Sequence, residues 1–178
     1  MYFINEKKIE VERKIVDLSK HENLKPKYLK LNPWGTVPFL VVKNKVISES
    51  IAICKYLDHM SPSPSLFGSS PIEKATIEMF RRKVEFDGMQ AAGEAFRNTA
   101  KSFKDRAFAG PGKIPQIPQL IERGKARTEV FFDFLNKLNI KKSLKNEMWP
   151  CSIMKLYTEI RNEKFSKIFE LNNDNKKK

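Results

Sequence analysis

The sequence has few of the residues from which catalytic and metal sites are most often built. Its 178 residues include two cysteines and two histidines, and neither pair has the spacing of a zinc site or a disulfide framework. Walker loops, Ser-His-Asp arrangements and paired glycosidase carboxylates are also absent. No apolar run approaches the ~20 residues that span a bilayer, and the first residues do not resemble a signal peptide. We therefore expect a cytoplasmic protein without a metal site and with few candidates for general base chemistry.

The charge of the chain is strongly positive but widely dispersed. Lysine and arginine total 34 against 21 acidic residues, which gives a net charge of +13. Only eight of the basic residues are arginines, and the lysines are spread along the chain rather than gathered into a patch. This distribution does not favour a nucleic-acid or membrane partner. A field of this sign would, however, attract a small anionic substrate.

The most informative stretch runs from Asn32 to Tyr56, NPWGTVPFLVVKNKVISESIAICKY. The Asn-Pro and Trp-Gly pairs at its start predict a turn. Apolar β-branched residues then predict one strand over 37–42 and a second at 46–47, separated by a polar reversal. Ser and acidic residues follow and predict that a helix begins at Glu49 or Ser50, with apolar positions at the 3/4 spacing of one helical face.

Pro38 is unusual because it interrupts the first predicted strand. Proline cannot donate to a ladder of backbone hydrogen bonds, so the site should be an edge, a bulge or a cis bond. We predict a cis Val37-Pro38 bond, with the backbone N–H and C=O of Val37 turned outward towards a ligand. Glu49 and Ser50, at the nearby helix start, would hold a charged end of that ligand. Together these residues predict a site for an extended, peptide-like ligand.

These segments resemble a known family. NPWGTVPFLV and ISESIAICKYL, with VDLSKHENLKPKYLKLNP just upstream, resemble the glutathione-binding half of the cytosolic glutathione S-transferases of the bacterial type. Two later segments, EAFRNTAK and IPQIPQLIERGKAR, are also similar to bacterial members. The resemblance implies an α/β thioredoxin-like N-terminal domain followed by an all-α C-terminal domain, in a cytoplasmic and dimeric protein.

The resemblance also implies how the site would work. Val37, the residue before the cis proline, would pair with the cysteinyl part of glutathione, and Glu49 and Ser50 would hold its γ-glutamyl end. Pro38 belongs to the same implied binding motif. Complete members attach the glutathione thiolate to an electrophile, or use the thiol to reduce disulfides or peroxides. Glutathione is thus the implied co-substrate, a hydrophobic electrophile the implied second substrate, and a second copy of the chain the implied partner.

The sequence departs from the family pattern at its start. Residues 9–16 are predicted to form the second strand of the thioredoxin-like sheet, and residues 2–8 the end of the first helix. The family's first strand, which carries the Tyr, Ser or Cys that activates the glutathione thiol, has no counterpart. The N-terminal domain is therefore expected to be incomplete, the catalytic residue is unknown, and little transferase activity is expected. A start site assigned too late and a decayed gene both fit this departure.

The chain is predicted to consist of three parts. Residues 1–60 form the partial glutathione-binding domain, 61–71 a linker rich in Ser, Pro and Gly, and 72–178 the helical domain. The family's usual helix cap is not found beyond Asn139. A short amphipathic helix is predicted after Pro150, and the polar tail from about residue 172 is predicted to be disordered.

The helical part should contain two long helices. Apolar 3/4 spacing predicts the first from Ile72 onwards, with Gly88 as its weak point, and the second opens at Pro118. An aromatic stripe on the second helix could line a substrate cleft or a partner surface, or could be ordinary helix-packing core. It consists of Phe131, Phe132 and Phe134.

Two further residues have both a functional and a structural interpretation. Cys54 lies on the apolar face of a predicted helix, where a buried inert thiol is favoured over a redox nucleophile. His21 lies in a polar stretch near the implied glycyl end of glutathione, and a solvated loop residue is favoured over a ligand contact.

Two function hypotheses of different classes remain open. The first is a glutathione S-transferase homologue, inactive if the thiol-activating segment is absent. The second is a non-catalytic binding module for a macromolecular partner, like the stringent starvation proteins or the gamma subunit of the elongation factor complex. The intact Glu49-Ser50 pair favours the first, because a protein that only binds macromolecules does not need residues that hold glutathione.

Overall fold

A computed structural model describes residues 2–137 of the chain. The helix predicted after Pro150 and the tail predicted from about residue 172 lie outside the described residues. The elements in chain order are α1 (Tyr2–Glu6), a 3-10 turn (Glu22–Leu24), α2 (Pro26–Leu29), β1 (Phe39–Val42), β2 (Lys45–Ser48), α3 (Ser50–Met60), α4 (Pro71–Lys83), a π-helical segment (Val84–Met89), α5 (Gln90–Thr99), a second 3-10 turn (Lys101–Phe103) and α6 (Gln119–Lys137).

The predicted hairpin and helix are both confirmed. β1 pairs antiparallel with β2, in a register that sets Phe39 opposite Ser48 and Val42 opposite Lys45. The reversal between them has Lys43 at a positive φ of 53°. Ser50 then begins α3, as the Ser and acidic residues around it predicted.

The core of the first half lies between α1 and α3. Its buried members are Phe3, Ile53 and Leu57, and β1 and β2 each contribute an apolar side chain to it. Phe67, from the segment that leads into α4, places its ring 6.0 Å from that of Phe3. Ile53 and Leu57 are four residues apart, so they lie on one face of α3, as the apolar spacing predicted.

A buried ion pair fastens this core to the segment that follows it. The Lys7 side chain is fully buried, and its Nζ donates to Asp58 Oδ1 at 2.8 Å and to the Pro64 carbonyl. The same Asp58 oxygen accepts from the Leu66 N–H at 3.1 Å. One carboxylate on α3 therefore holds both the residue after α1 and the chain leaving α3.

The strand predicted over residues 9–16 is not formed. This segment has no regular secondary structure, and Ile15 is 94% exposed. Ile9 alone packs against the core of the first half, where its N–H donates to Ile4 O at 3.0 Å. A strand needs a neighbour for its backbone groups, and the described residues form only the two-stranded sheet of β1 and β2.

The second half opens with a well-capped helix. The Ser70 hydroxyl accepts from the Glu73 N–H at 3.3 Å, and Glu73 Oε2 accepts from the Ser70 N–H at 3.1 Å. This reciprocal capping box, with Pro71 in the first turn, fixes where α4 begins. The helix then continues through the π-helical segment into α5. The predicted weak point, Gly88, falls inside that segment and is buried.

Glycine residues, which have no side chain, let the helices of the second half approach closely. A Cβ at Gly124 of α6 would lie 2.7 Å from both the Ala91 carbonyl oxygen and the Ala95 nitrogen of α5. Ala91 and Ala95 are fully buried. A Cβ at Gly88 would lie 2.6 Å from the ring of Phe131. The α5–α6 contact is therefore a close crossing built on glycine and alanine.

The aromatic stripe on α6 is divided between core and surface. Phe131 is buried at 4% exposure and Phe132 is half-buried, whereas Phe134 is 41% exposed. Phe134 and Val130 line a cavity of about 440 Å³ beside the π-helical segment. The core interpretation is thus confirmed for Phe131.

No helix in the part of the chain that the structure describes is long and apolar enough to cross a membrane.

Candidate functional site

The Val37-Pro38 pair lies immediately before β1, and both residues are exposed. The peptide bond between them is cis, as predicted. Across residues 2–137, no hydrogen bond joins the backbone N–H or C=O of Val37 to another group. A residue with both backbone groups unpaired is able to accept an extended ligand by strand-like pairing.

The turn before Val37 is fixed by two asparagines, Asn32 of the predicted Asn-Pro turn and Asn23, whose part in the turn the sequence did not predict. Asn32 is buried, and its Nδ2 donates to Thr36 O at 2.8 Å. Asn23 Nδ2 donates to Gly35 O at 2.7 Å. Gly35 has a φ of +61°, and a Cβ there would lie 2.7 Å from a methyl group of Leu24. The Asn-Pro signal predicted this turn, which Asn32 holds locally, whereas the contact of Asn23 with Gly35, twelve residues further along the chain, has no local signature.

Glu49 and Ser50 lie where β2 passes into α3. Glu49 is the N-cap residue, with a φ of 69°, and its side chain makes no capping hydrogen bond. Its carbonyl oxygen accepts from the Ile53 N–H at 3.0 Å and starts the helix. No ion pair to Glu49 is found among residues 2–137, and both Glu49 and Ser50 are exposed. A free carboxylate therefore lies beside the unpaired N–H groups of a helix N-terminus.

The hairpin register brings these two segments together. Phe39 is opposite Ser48, so the residues that precede Phe39 and those that follow Ser48 meet at the same end of the hairpin. The site thus combines unpaired strand backbone, a carboxylate, a hydroxyl and helix N–H groups. Such a set is complementary to a peptide that ends in both an ammonium and a carboxylate group.

Neither Cys54 nor His21 provides a nucleophile in this arrangement. Cys54 is half-buried on α3, and burial, with a smaller contribution from the charge of Asp58, raises the pKa of its thiol. That agrees with the inert thiol predicted from its position. His21 is exposed, as predicted, but it also contacts Arg106 of the α5–α6 loop, which sequence reasoning missed. Within residues 2–137, no group of three or more His, Cys, Asp or Glu side chains could hold a metal ion.

Comparison with known proteins gives consistent matches over this region. Residues 1–60 match the family described as "Glutathione S-transferase, N-terminal domain". Glutathione S-transferase 2 of Saccharomyces cerevisiae is 37% identical over 103 residues, which are 57% of this chain and 40% of the yeast protein. The chain therefore spans well under half the length of this curated relative.

Two solved structures extend the similarity into the helices. A glutathione S-transferase domain-containing protein of Marinobacter aquaeolei is 28% identical with a TM-score of 0.67, over 76% of this chain and 65% of that one. A glutathione S-transferase of Vibrio parahaemolyticus is 32% identical with a TM-score of 0.60, over 76% of this chain and 60% of that one. These similarities confirm the predicted fold class, a thioredoxin-like part followed by a helical part.

Proposed function

We propose that this chain, whose residues 1–60 match the glutathione S-transferase N-terminal domain, binds glutathione at Val37, Pro38, Glu49 and Ser50 and uses it as a thiol co-substrate. One observation supports this proposal most strongly. The unpaired backbone of Val37 and the free carboxylate of Glu49 meet at one end of the hairpin, beside the N-terminus of α3. These groups together could bind both the backbone and the charged end of one extended ligand.

The chemistry of glutathione fits this arrangement group by group. The γ-glutamyl ammonium would donate to the Glu49 carboxylate, a charge-assisted contact. The γ-glutamyl carboxylate would accept from the Ser50 hydroxyl and from the first N–H groups of α3. The cysteinyl residue would exchange backbone hydrogen bonds with Val37, while Pro38 shapes the entry to β1. The positive net charge of the chain would also attract this anionic ligand.

The proposed reaction begins at the glutathione sulfur. The thiol loses its proton, the thiolate attacks the electrophile, a sulfur–carbon bond forms and the leaving group departs. In the alternative reaction two glutathione thiols are oxidised to glutathione disulfide as a disulfide is reduced to two thiols, or a peroxide to an alcohol and water. The residues assigned above contact the backbone and the γ-glutamyl end of glutathione, and none contacts its sulfur. No side chain is therefore assigned to activating the thiol. A hydrophobic electrophile, a homodimeric assembly and a cytoplasmic location complete the proposal.

Two measurements on the 178-residue chain test this proposal. Calorimetric titration with reduced glutathione should show saturable binding. Turnover of an aryl halide electrophile should be slow, because the assigned residues hold the ligand without a donor to its sulfur. Saturable binding with rapid turnover would show that the chain contains a thiol-activating group not assigned above. A folded chain that does not bind glutathione would overturn the proposal and favour a macromolecular binding role.

A further inference from the structure

Strand β1 has a neighbouring strand on one side only. Within residues 2–137 it pairs with β2, and no backbone hydrogen bond joins it to any other segment. Natural proteins usually protect such an edge with a charged side chain, a proline or a bulge. The four residues of β1, FLVV, include no charge, and Val41 is 51% exposed, whereas β2 includes the exposed Lys45. The outer edge of β1 is therefore an unprotected row of backbone donors and acceptors that another strand could pair with.

The same chain contains a strand-like segment that has no neighbour. Residues 9–16, IEVERKIV, have apolar side chains at positions 9, 11 and 15, yet they form no regular secondary structure. Ile15 is 94% exposed. The Glu12 and Lys14 side chains, 85% and 84% exposed, contact only each other among the described residues, at 3.8 Å. This segment thus has the pattern of a strand without a partner to pair with.

Contacts within its own chain fix both ends of this segment. The Ile9 N–H donates to Ile4 O at 3.0 Å, and the Asp17 N–H, just beyond the segment, donates to Glu22 Oε2 at 2.9 Å. Between these points the segment makes no backbone hydrogen bond with β1 of the same chain. Two copies that exchange the segment would pair both open edges at once, in a closed two-fold arrangement.

Charge and side-chain alternation favour one register for this exchange. If the strands are antiparallel and Glu12 of one copy lies opposite Lys43 of the other, Ile15 lies opposite Leu40. Leu40 packs against the core of the first half, so Ile15 would extend the apolar face of the sheet. In a parallel pairing that kept Glu12 opposite Lys43, Ile15 would pass beyond the end of β1. The antiparallel register therefore satisfies an opposite-charge pair and an apolar pair together.

We propose that a second copy of this chain binds along the outer edge of β1, by antiparallel pairing of its residues 9–16 in a mutual exchange. The inference assigns an interface to the homodimer and rests on the proposed function for that assembly, but not for glutathione binding. The net charge of +13 makes two copies repel each other. At physiological ionic strength this repulsion is screened beyond about 8 Å, whereas paired strands lie about 4.8 Å apart.

The test measures the dissociation constant of the dimer by sedimentation equilibrium on the full chain. Wild type is compared with Glu12→Lys, Lys43→Glu and the double variant, in which the two charges are exchanged. Each single variant should raise the dissociation constant about tenfold, because an attractive pair becomes a repulsive one at both symmetric positions. The double variant should return to within about threefold of wild type. Glu129→Lys makes the same charge change on an exposed position of α6 and should dimerise like wild type.

Hydrogen exchange of the wild-type chain supplies a measurement that needs no variant. At concentrations above the dissociation constant, the amides of residues 12–16 and 39–41 should become protected together, relative to dilute protein. Single variants that dimerise like wild type, or a double variant that is not restored, would overturn the inference and leave the homodimer intact, as would protection confined to the helices α4 and α6. A chain that stays monomeric at every concentration would overturn both the inference and the homodimer. Calorimetric titration with glutathione tests the rest of the proposed function separately.

Discussion

The α5–α6 contact and the core of residues 2–60 are stabilised in different ways. In the helix pair, Ala91 and Ala95 are fully buried against Gly124, and the backbones approach so closely that no side chain fits between them. In the first half, the three core residues keep 6 to 8% exposure, and a single ion pair fastens the segments around them. The first half therefore combines a small hydrophobic core with one buried ion pair, whereas the α5–α6 contact is built on close approach of the two backbones.

The residues that stabilise the two halves are different from those proposed to bind the ligand. The residues proposed to bind glutathione are exposed and have few contacts with either core. Substitutions in the helix pair or at the ion pair should thus change the free energy of unfolding, whereas substitutions in the site should change affinity at nearly constant stability.

The largest effect on stability is expected from Asp58→Ala. It would leave the fully buried Lys7 ammonium without its carboxylate and release the Leu66 N–H. Breaking a buried pair from one side costs about 3 kcal/mol. Urea unfolding should show that loss. The control Glu122→Ala breaks an exposed pair with Lys125 and should cost under about 1 kcal/mol. Equal losses in the two variants would show that the first half does not depend on the Lys7–Asp58 contact.

Gly124→Ala should be the next most destabilising change. Its new methyl group would meet the backbone of α5 at 2.7 Å, and backbone cannot move aside as a flexible side chain can. Overpacking of this kind costs about 1–3 kcal/mol, measurable as a lower urea midpoint.

Gly93→Ala is the matched control for that prediction. Gly93 lies in α5, and a Cβ on it would have nothing within 4 Å. The same change of glycine to alanine should therefore stabilise the chain by about 0.5–1 kcal/mol, through helix propensity alone. If both variants lose stability, the close crossing is not what makes Gly124 necessary.

The smallest effect is expected from the partly exposed ion pair between Glu78 and Arg81 on α4. Arg81 Nε donates to Glu78 Oε2 at 2.8 Å, and this contact with Arg81 lowers the pKa of Glu78 from 4.5 to about 2. A lowered pKa contributes stability that is fully present above pH 4.5 and is lost as the pH falls through about 2. Because the Glu78 side chain is 41% exposed, solvent screening limits the effect of Glu78→Gln at pH 7 to under 1 kcal/mol.

Unfolding curves of wild type and Glu78→Gln between pH 7 and pH 2 test whether the stability that Glu78 contributes is lost as the pH falls. The two free energies of unfolding should converge as the pH falls. A gap that widens towards low pH would contradict the assignment of Glu78 as the titrating partner of Arg81.

Features with a local cause were predictable from the sequence. The hairpin and the start of α3 follow from β-branched runs, a polar reversal and the Ser and acidic residues around position 49. Gly88 was recognised as a weak point of its helix. Phe131, whose ring packs against Gly88, is 43 positions away in the sequence. No pattern in either segment reveals this contact.

Features that depend on distant partners were not predictable. The pattern of residues 9–16 suits a strand, but whether a strand forms depends on a neighbour that pairs with it. The contact between His21 and Arg106 spans 85 residues, and Asn23 holds the turn before Val37 through Gly35, twelve residues further along the chain. The candidate site was therefore predicted through its motif residues, while the residues that position it became visible only in the fold.

The most direct test of the proposed site is calorimetric titration of glutathione into wild type, Glu49→Ala, Ser50→Ala and Glu122→Ala. Charge-assisted hydrogen bonds contribute about 1.5–3 kcal/mol, so Glu49→Ala should weaken binding by roughly ten- to a hundredfold. Ser50→Ala should weaken it less, since the hydroxyl is neutral. Glu122→Ala removes the same charge from α6 and should bind like wild type. Glutathione that binds wild type, Glu49→Ala and Ser50→Ala equally well would contradict the site proposed at the N-terminus of α3.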